Sequence, residues 1–241
     1  MDPRPLKFVA DATAGEILRG SPDTLVRRVC TDSRHVQPGD LFIAIAGEKF
    51  DGHKFVSEVA SKGVAAIMVE RAKFGVPTSG GSGAAEPAKA VTPSAVIAVE
   101  STRTAYAQLA ARYRQDFDIP VIAVGGSNGK TTTKELIAAV LRERGPALWS
   151  EASFNNEIGV PHTLLRLEKQ HTSAVFEVGT NHPGELAPLV KLIQPRFGVI
   201  TSIGREHLEF FGDVNGVAQE EGWLAELLPA DGTLFVNGDC P

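Results

Sequence analysis

Residues 119–133 read IPVIAVGGSNGKTTT. The apolar start of this segment is typical of a short strand, and after it Leu136, Ile137, Val140 and Leu141 recur at helical spacing. A strand, a glycine-rich turn and a helix N-terminus in this order form an anion site, because backbone N–H groups and the helix dipole both favour phosphate oxygens there.

Two side chains strengthen this interpretation of the loop. Lys130 adds a full positive charge, and the Thr131 hydroxyl is placed to bind Mg²⁺. The strict phosphate-loop pattern begins with a glycine where this chain has Val124, so an ordinary glycine turn is the competing interpretation. Gly-Lys-Thr at a strand-to-helix junction favours a nucleotide phosphate.

The composition is that of a globular protein with room for two domains. The chain has 241 residues, 43% of them hydrophobic and 22% charged, and its net charge is −5. This charge and the absence of basic runs give no support for nucleic-acid binding, and no apolar stretch suggests membrane insertion or a signal region. Cys30 and Cys240 match no metal spacing, which favours a reducing compartment, and we expect a cytoplasmic protein. The sequence leaves the oligomeric state open, with a monomer as the expectation.

Apolar runs and turn signals predict two α/β domains, at residues 1–100 and 101–241. In the first domain a segment rich in Gly, Ser, Ala and Pro, 74–94, predicts a loop or insertion. The regular elements predicted before residue 101 are strands at 40–45, 65–69 and 96–99 and a helix at 53–61.

The second domain alternates strands with helices, which predicts a mostly parallel sheet with ligands at the carboxyl ends of its strands. Its first helix has Ser101 as a candidate cap. The predicted strands are 119–124, 174–178, 198–201 and 232–236, and the predicted helices are 102–117, 132–144, 157–167, 184–193 and 216–228. The chain stops just after the last strand, so we expect this domain to be incomplete.

Seven ordered motifs cover essentially the whole chain, and together they resemble the Mur ligases of peptidoglycan synthesis. They are TDSR at 31–34, PGDLF at 38–42, GEKFDGH at 47–53, GSNGKTT at 126–132, FNNEIGVP at 154–161, EVGTNHPGE at 177–185 and HLEFFG at 207–212. The resemblance implies a small α/β UDP-binding domain followed by an ATP-binding central domain of the phosphate-loop type, truncated before a C-terminal domain.

The motifs point to the family branch that adds D-Ala-D-Ala to UDP-N-acetylmuramoyl-tripeptide. The resemblance therefore implies ATP and Mg²⁺ as cofactors, and an acyl-phosphate intermediate from which ADP and phosphate are released. Positioning and charge stabilisation are the protein's main tasks in such chemistry. The third residue of the tripeptide, diaminopimelate or lysine, cannot be predicted from these motifs.

The resemblance also assigns the nucleotide and metal residues. It implies catalytic roles for Lys130, Glu177, His207 and Glu221, and metal binding by Thr131, Glu177 and His207. Magnesium prefers oxygen donors, so the imidazole of His207 is an unusual ligand. The residues expected to bind ATP are Gly126, Ser127, Asn128, Gly129, Lys130, Thr131 and Thr132.

Substrate contacts are expected from two groups of residues, each with a structural alternative. Ser33 and Arg34 fit a phosphate-binding role, but an arginine in a surface salt bridge is the alternative. His53 belongs to a turn that could be only a helix cap. The central-domain candidates, which could instead be capping or turn residues, are Asn155, Asn156, Asn181 and His182.

Glu221 departs from the family pattern. Many members have, at this distance from the histidine corresponding to His207, a lysine carbamylated by carbon dioxide whose carboxylate serves a second metal. Val217, Glu221 and Leu224 share helical spacing, so Glu221 falls on an apolar stripe and a cation or donor should face it. We hypothesise that Glu221 supplies this negative charge directly. The alternatives are a weakened second metal site and a rotated helix that leaves Glu221 solvated beside Gln219.

Three classes of function remain open at this point. The first is an amide-forming ligase or its N-terminal part. The second is a module that binds UDP-sugar and ATP without turnover, and the third is an unrelated phosphate-loop phosphotransferase. The third leaves the motifs at 31–53 and 154–161 unexplained.

Overall fold

The structure is a computed structural model that describes residues 1–47, 50–74 and 94–239. It contains two compact units, Met1–Arg112 and Tyr113–Pro241, each with its own five-stranded sheet. The division lies beyond the boundary predicted at residue 100, because Thr102 donates a hydrogen bond to the Ala44 carbonyl of the first unit (2.9 Å). The described part of the chain has no helix long and apolar enough to cross a membrane.

The first sheet has four parallel strands and one antiparallel edge strand, in the order β2-β7-β6-β5-β4. β7 is buried along its whole length and β6 along nearly all of it, as expected for strands covered on both faces. The elements are β1 Arg4–Pro5, α1 Leu6–Thr13, β2 Glu16–Arg19, β3 Leu25–Val26, β4 Arg28–Cys30, β5 Asp40–Ile43, a 3₁₀ turn at Gly52–Phe55, α2 Val56–Ser61, β6 Ala66–Glu70, β7 Ala95–Val99 and α3 Thr102–Arg114.

The three strands predicted for this unit are confirmed as β5, β6 and β7. The helix predicted at 53–61 begins instead as the 3₁₀ turn, and Ser101 caps α3 as expected by accepting from the Thr104 N–H (3.3 Å). Most of the predicted loop at 74–94 lies outside the described residues. Helix α1 was not predicted, although its buried residues have helical spacing: Leu6, Val9, Ala10 and Thr13.

The second sheet is fully parallel, with the order β12-β11-β8-β10-β9, which confirms the parallel sheet predicted for the central domain. Its elements are β8 Val121–Gly125, α4 Lys130–Arg142, β9 Ala147–Trp149, α5 Gly159–Leu164, β10 Ser173–Glu177, α6 Leu186–Ile193, β11 Phe197–Ile200, α7 Leu208–Phe211, α8 Val214–Glu226 and β12 Thr233–Val236. Strand β9 and helix α7 were not predicted, because three or four residues are too few to show a periodic pattern.

Strand register brings three loops to one edge of this sheet. Glu177 at the end of β10 pairs with Val124, and Ile200 at the end of β11 pairs with Gly125. Because parallel strands end at the same edge, the loops after β8, β10 and β11 all open there.

Four helices of this unit start at places other than those predicted, and for two of them, α4 at Lys130 and α6 at Leu186, the difference is two residues. Helix α8 begins before Gly216, because Asp213 caps it by accepting from the Gly216 N–H (3.0 Å). Helix α5 is shorter than the predicted 157–167, and its start is set by Asn156, whose Oδ1 accepts from the Gly159 N–H (2.9 Å).

Candidate functional site

The loop between β8 and α4 has the geometry of an anion site. Gly126 and Gly129 have positive φ angles, 109° and 84°, and α4 begins directly after Gly129. A Cβ atom on Gly126 would lie 2.5 Å from Thr201 Oγ1 and 2.8 Å from the Ser202 carbonyl oxygen. Because α4 begins directly after this loop, the N–H groups of its first turn have no partner within the helix and are available to a phosphate group at the loop.

The segment after β11 supports this loop from one side. The Ser127 N–H donates to the Ser202 carbonyl (2.8 Å), and the Asn128 N–H donates to Ser202 Oγ (3.1 Å). Thr201 Oγ1 donates to the Asn128 carbonyl (2.6 Å), and the Gly204 N–H donates to Ser127 Oγ (2.8 Å). Thr201 and Ser202 could not be identified as loop partners from the sequence, because their contact with the loop depends on the pairing of β11 with β8.

Lys130 lies over the same loop. Its ammonium donates to the carbonyl oxygens of Gly126 and Ser127, and it lies 3.8 Å from a carboxylate oxygen of Glu206. The Lys130 side chain is 16% exposed, so its positive charge can be reached by a ligand at the loop although most of the side chain is shielded from water. Of the remaining expected ATP-binding residues, Asn128, Gly129, Thr131 and Thr132 are exposed at this end of the sheet.

Glu177 is the buried centre of the site, with a relative exposure of 1%. Its Oε2 accepts from Thr131 Oγ1 and its Oε1 accepts from Asn155 Nδ2, both at 2.9 Å. Its backbone N–H donates to Ser150 Oγ (3.2 Å), and Lys134 Nζ lies 3.9 Å from Oε2. The predicted approach of Thr131 to Glu177 is thus observed, and the carboxylate is held from several directions.

The oxygens of Thr131 and Glu177 suit magnesium. Mg²⁺ takes oxygen ligands, uses only one or two protein groups and keeps its other positions for water and phosphate oxygens. His207 stands directly before α7 with a left-handed backbone (φ 46°), and its assignment as a metal ligand stays a prediction of the family resemblance. Those ranges also contain no group of three or more His, Cys, Asp or Glu side chains that could hold a metal.

Glu221 is fully buried and contacts the phosphate loop. Its Oε2 accepts from the Gly126 N–H (2.7 Å), so the solvated alternative is wrong and a donor faces the carboxyl group as expected. Its Oε1 has no hydrogen-bond partner among the described atoms. Burial raises the pKa of Glu221 to about 7, against the opposing effects of the Gly126 N–H and the Lys130 charge.

Asn155 and Asn156 have different roles. Asn155 donates to the Glu177 carboxylate, whereas Asn156 accepts from the N–H groups of Ile158 (3.1 Å) and Gly159 and forms the turn before α5. The capping alternative therefore describes Asn156 and not Asn155.

Asn181 and His182 are exposed turn residues. Both backbone N–H groups donate to Glu185 Oε2, and the His182 ring lies 3.0 Å from Glu185 Oε1 and contacts the Phe210 ring. Buried Glu220 holds the end of this turn, because it accepts from the N–H groups at Gly184 and Leu186 (2.8 Å each).

The first unit holds the remaining candidates in a separate set of contacts. Arg34 is exposed and pairs with Asp32 (2.6 Å), which holds the pKa of that carboxyl well below its usual range, so the salt-bridge alternative describes this geometry. Ser33 is buried, and its carbonyl accepts from Lys62 Nζ (2.8 Å). His53 has both ring nitrogens engaged, with Asp51 Oδ1 (2.7 Å) and with the N–H of residue 70 (2.8 Å). The imidazole is therefore held as part of the turn and offers no free nitrogen in this geometry.

Comparison with known families decides what this fold is. Residues 25–114 match the family model described as "Mur ligase family, catalytic domain", and residues 124–241 match the model described as "Mur ligase middle domain". The chain belongs to the Mur ligase family. The resemblance expected from the sequence motifs is confirmed, as is an α/β fold with a parallel-sheet central domain.

Curated members of the Mur ligase family extend well beyond this chain. The UDP-N-acetylmuramoyl-tripeptide–D-alanyl-D-alanine ligase of Synechocystis is 39% identical over 219 residues, which is 91% of this chain and 45% of that protein. The Escherichia coli K12 ligase of the same name is 38% identical, over 97% of this chain and 48% of its own length. The chain spans about half the length of the curated relatives that it matches.

Solved Mur ligase structures have the same fold. A crystal structure of MurF from Acinetobacter baumannii matches with a TM-score of 0.87 and 34% identity, covering 100% of this chain and 50% of that one. MurF from Thermotoga maritima, solved in complex with ADP, matches with a TM-score of 0.75 and 30% identity, covering 89% of this chain and 46% of that one.

Proposed function

We propose that this chain provides the UDP-sugar-binding and ATP-binding parts of a ligase that adds D-Ala-D-Ala to UDP-N-acetylmuramoyl-tripeptide. The observation that carries the proposal is the meeting of Thr131, at the first turn of α4, with the buried carboxylate of Glu177, beside Lys130. Relatives that match nearly the whole chain carry the name of this ligase.

ATP and Mg²⁺ are the proposed cofactors. The N–H groups of the first turn of α4 and the Lys130 ammonium bind the phosphates, and Thr131 and Glu177 hold the metal, which neutralises phosphate charge when bound. The proposed role of His207 as a ligand of a second metal rests on the family resemblance.

The proposed reaction needs positioning more than covalent catalysis. The terminal carboxylate of the tripeptide attacks the γ-phosphorus of ATP, and ADP leaves to give an acyl phosphate. The amine of D-Ala-D-Ala then attacks the acyl carbon, and inorganic phosphate leaves with the C–O bond electrons. Asn155 donates to Glu177, and its proposed role is to connect the acyl substrate with the nucleotide site.

The first unit is proposed to bind the UDP moiety. Ser33 and Arg34 supply a hydroxyl and a guanidinium for the diphosphate, which requires Arg34 to exchange its Asp32 partner for phosphate. His53 acts there by holding its turn. A net charge of −5 supports the expectation that nucleic acid is not a partner, and cytoplasmic location and a monomeric state are further parts of the proposal.

The second candidate is a binding module that holds both nucleotides without ligation. It rests on the same nucleotide-binding geometry, the loop after β8 and the contact of Thr131 with Glu177, and it requires no ligation step.

Phosphate release distinguishes the candidates. It is measured with MgATP, UDP-N-acetylmuramoyl-tripeptide and D-Ala-D-Ala, on this chain and on the chain extended to the length of its relatives. We expect MgATP binding by both and ligation only by the extended chain. Turnover by this chain alone would contradict the expectation, and ATP hydrolysis that ignores both acceptors would favour an unrelated phosphotransferase. Lys130→Met should abolish MgATP binding, and Lys191→Met, at an exposed position on α6, is the matched control.

A further inference from the structure

Lys134 is a fully buried lysine on α4 that the proposed reaction does not yet use. Its relative exposure is 0%, and its ammonium donates to the carbonyl oxygens of Ser150 (2.7 Å) and Ala152 (2.8 Å). It also pairs with Glu135 (2.8 Å) and lies 3.9 Å from Glu177 Oε2. Lysine is almost never buried without partners, because desolvating an ammonium is costly.

The position of this ammonium is more informative than its burial. Three segments meet there: the helix that follows the phosphate loop, the segment after β9 and the end of β10. Filling the space with an apolar side chain would avoid the cost of burying a charge, so packing alone does not account for a lysine. The two carbonyl contacts hold residues 150–152, and the same segment carries Asn155 to its hydrogen bond with Glu177.

We propose that Lys134 is a positioning residue that holds the segment after β9 and thereby places Asn155 on the Glu177 carboxylate. At 3.9 Å from Oε2 the ammonium balances the buried charge without taking the lone pairs that face Thr131. The Lys134 ammonium thus helps to bring both parts of the proposed site, the nucleotide side at Thr131 and the acyl-substrate side at Asn155, to the Glu177 carboxylate. This inference rests on the proposed function for its catalytic meaning.

The test compares Lys134→Met with Glu135→Gln. Methionine keeps the length and removes the charge, whereas Glu135→Gln removes only the half-exposed partner of the same ammonium. The first readout is the side-chain amide resonance of Asn155 in the ¹⁵N spectrum of this chain, assigned with Asn155→Ser. We expect the resonance to move to the position of a free amide in Lys134→Met and to stay unchanged in Glu135→Gln.

The second readout separates positioning from general damage. MgATP affinity should change by less than about threefold in Lys134→Met, because the phosphate loop and Lys130 are untouched. In the extended chain kcat should fall about 10–100-fold, the range typical for loss of an outer partner of a metal-site residue. The KM for D-Ala-D-Ala should be unchanged.

An unchanged Asn155 resonance in folded Lys134→Met, or unchanged kcat, would overturn the inference. If Lys134→Met does not fold, the double variant with Glu177→Gln removes the uncompensated carboxylate and is compared with Glu177→Gln alone, and an Asn155 amide resonance at the same position in both would also overturn the inference. Failure of the unmodified chain to bind MgATP would instead overturn the proposed function, and the amide readout would still decide the structural part of this inference.

Discussion

Replacing Glu221 by glutamine should change how the stability of the second unit depends on pH. Burial raises the pKa of this carboxyl from its ordinary value of 4.5 to about 7 in the folded chain. Between these values the folded state holds a proton that the unfolded state releases, so stability falls as pH rises. Each pKa unit corresponds to about 1.4 kcal/mol, and the loss between about pH 4.5 and pH 7 is therefore about 3 kcal/mol.

The glutamine variant isolates this contribution. Its amide oxygen can still accept from the Gly126 N–H, while the group no longer titrates. Any constant cost of the unpaired amide cancels when slopes rather than absolute stabilities are compared. Glu226→Gln is the matched control, since Glu226 lies on the same helix and is exposed.

Tryptophan fluorescence in urea provides the assay. The two tryptophans of the chain, Trp149 and Trp223, both lie in the second unit, so their signal reports the unfolding of that unit. We expect the free energy of unfolding of the unmodified chain and of Glu226→Gln to fall between pH 5 and pH 8 by about 2.5 kcal/mol more than that of Glu221→Gln. Equal slopes in all three proteins would refute the reasoning that a buried, half-satisfied carboxyl lies behind the phosphate loop.

Other perturbations follow from the same contacts. Gly126→Ala should destabilise the second unit by about 2 kcal/mol or more, because its Cβ would lie 2.5 Å from Thr201 Oγ1 at a positive φ; thermal unfolding checks this, and an unchanged Tm would count against the loop geometry. Asn156→Ala should cost about 1 kcal/mol through the lost cap and leave MgATP affinity unchanged, as calorimetry can show. If Glu221 supplies the charge that a carbamate supplies elsewhere, added bicarbonate should not change turnover of the extended chain, and Glu221→Gln should lose most of it. Full activity of that variant would exclude the hypothesis.

Local pattern was sufficient for much of this fold. The loop at 125–130, flanked by a strand and a helix, follows from glycine positions and apolar spacing that act over a few residues. Helical spacing grouped Glu221 with Val217 and Leu224 but left a solvated orientation open, and only the packed structure decided that Glu221 is buried. Short elements such as β9 and α7 were missed because three or four residues carry too little periodicity.

The candidate site was predicted only in part. The family resemblance implied that Thr131 and Glu177 act together on one metal, and the position of Glu177 at a strand end placed its carboxylate at the edge of the sheet. The roles of Asn155 and Asn156 could not be separated, because both are side chains able to cap a helix, and only the placement of the carboxylate distinguishes them. The roles of Arg34 and His53 could not be decided from the sequence either, because each side chain can bind a neighbour in its own turn as readily as it binds a ligand.

By itself, the sequence determined the family, the phosphate-type loop and the residues that could carry chemistry, because these depend on order and spacing along the chain. Only the tertiary structure decided that Lys134 is buried beside Glu177, that Ser202 supports the loop and that Glu221 contacts Gly126. Those contacts join residues from 43 to 95 positions apart. They form only because the register of the parallel strands brings these distant segments together. Spacing along one segment carries no information about that register, whereas the packed sheet specifies it.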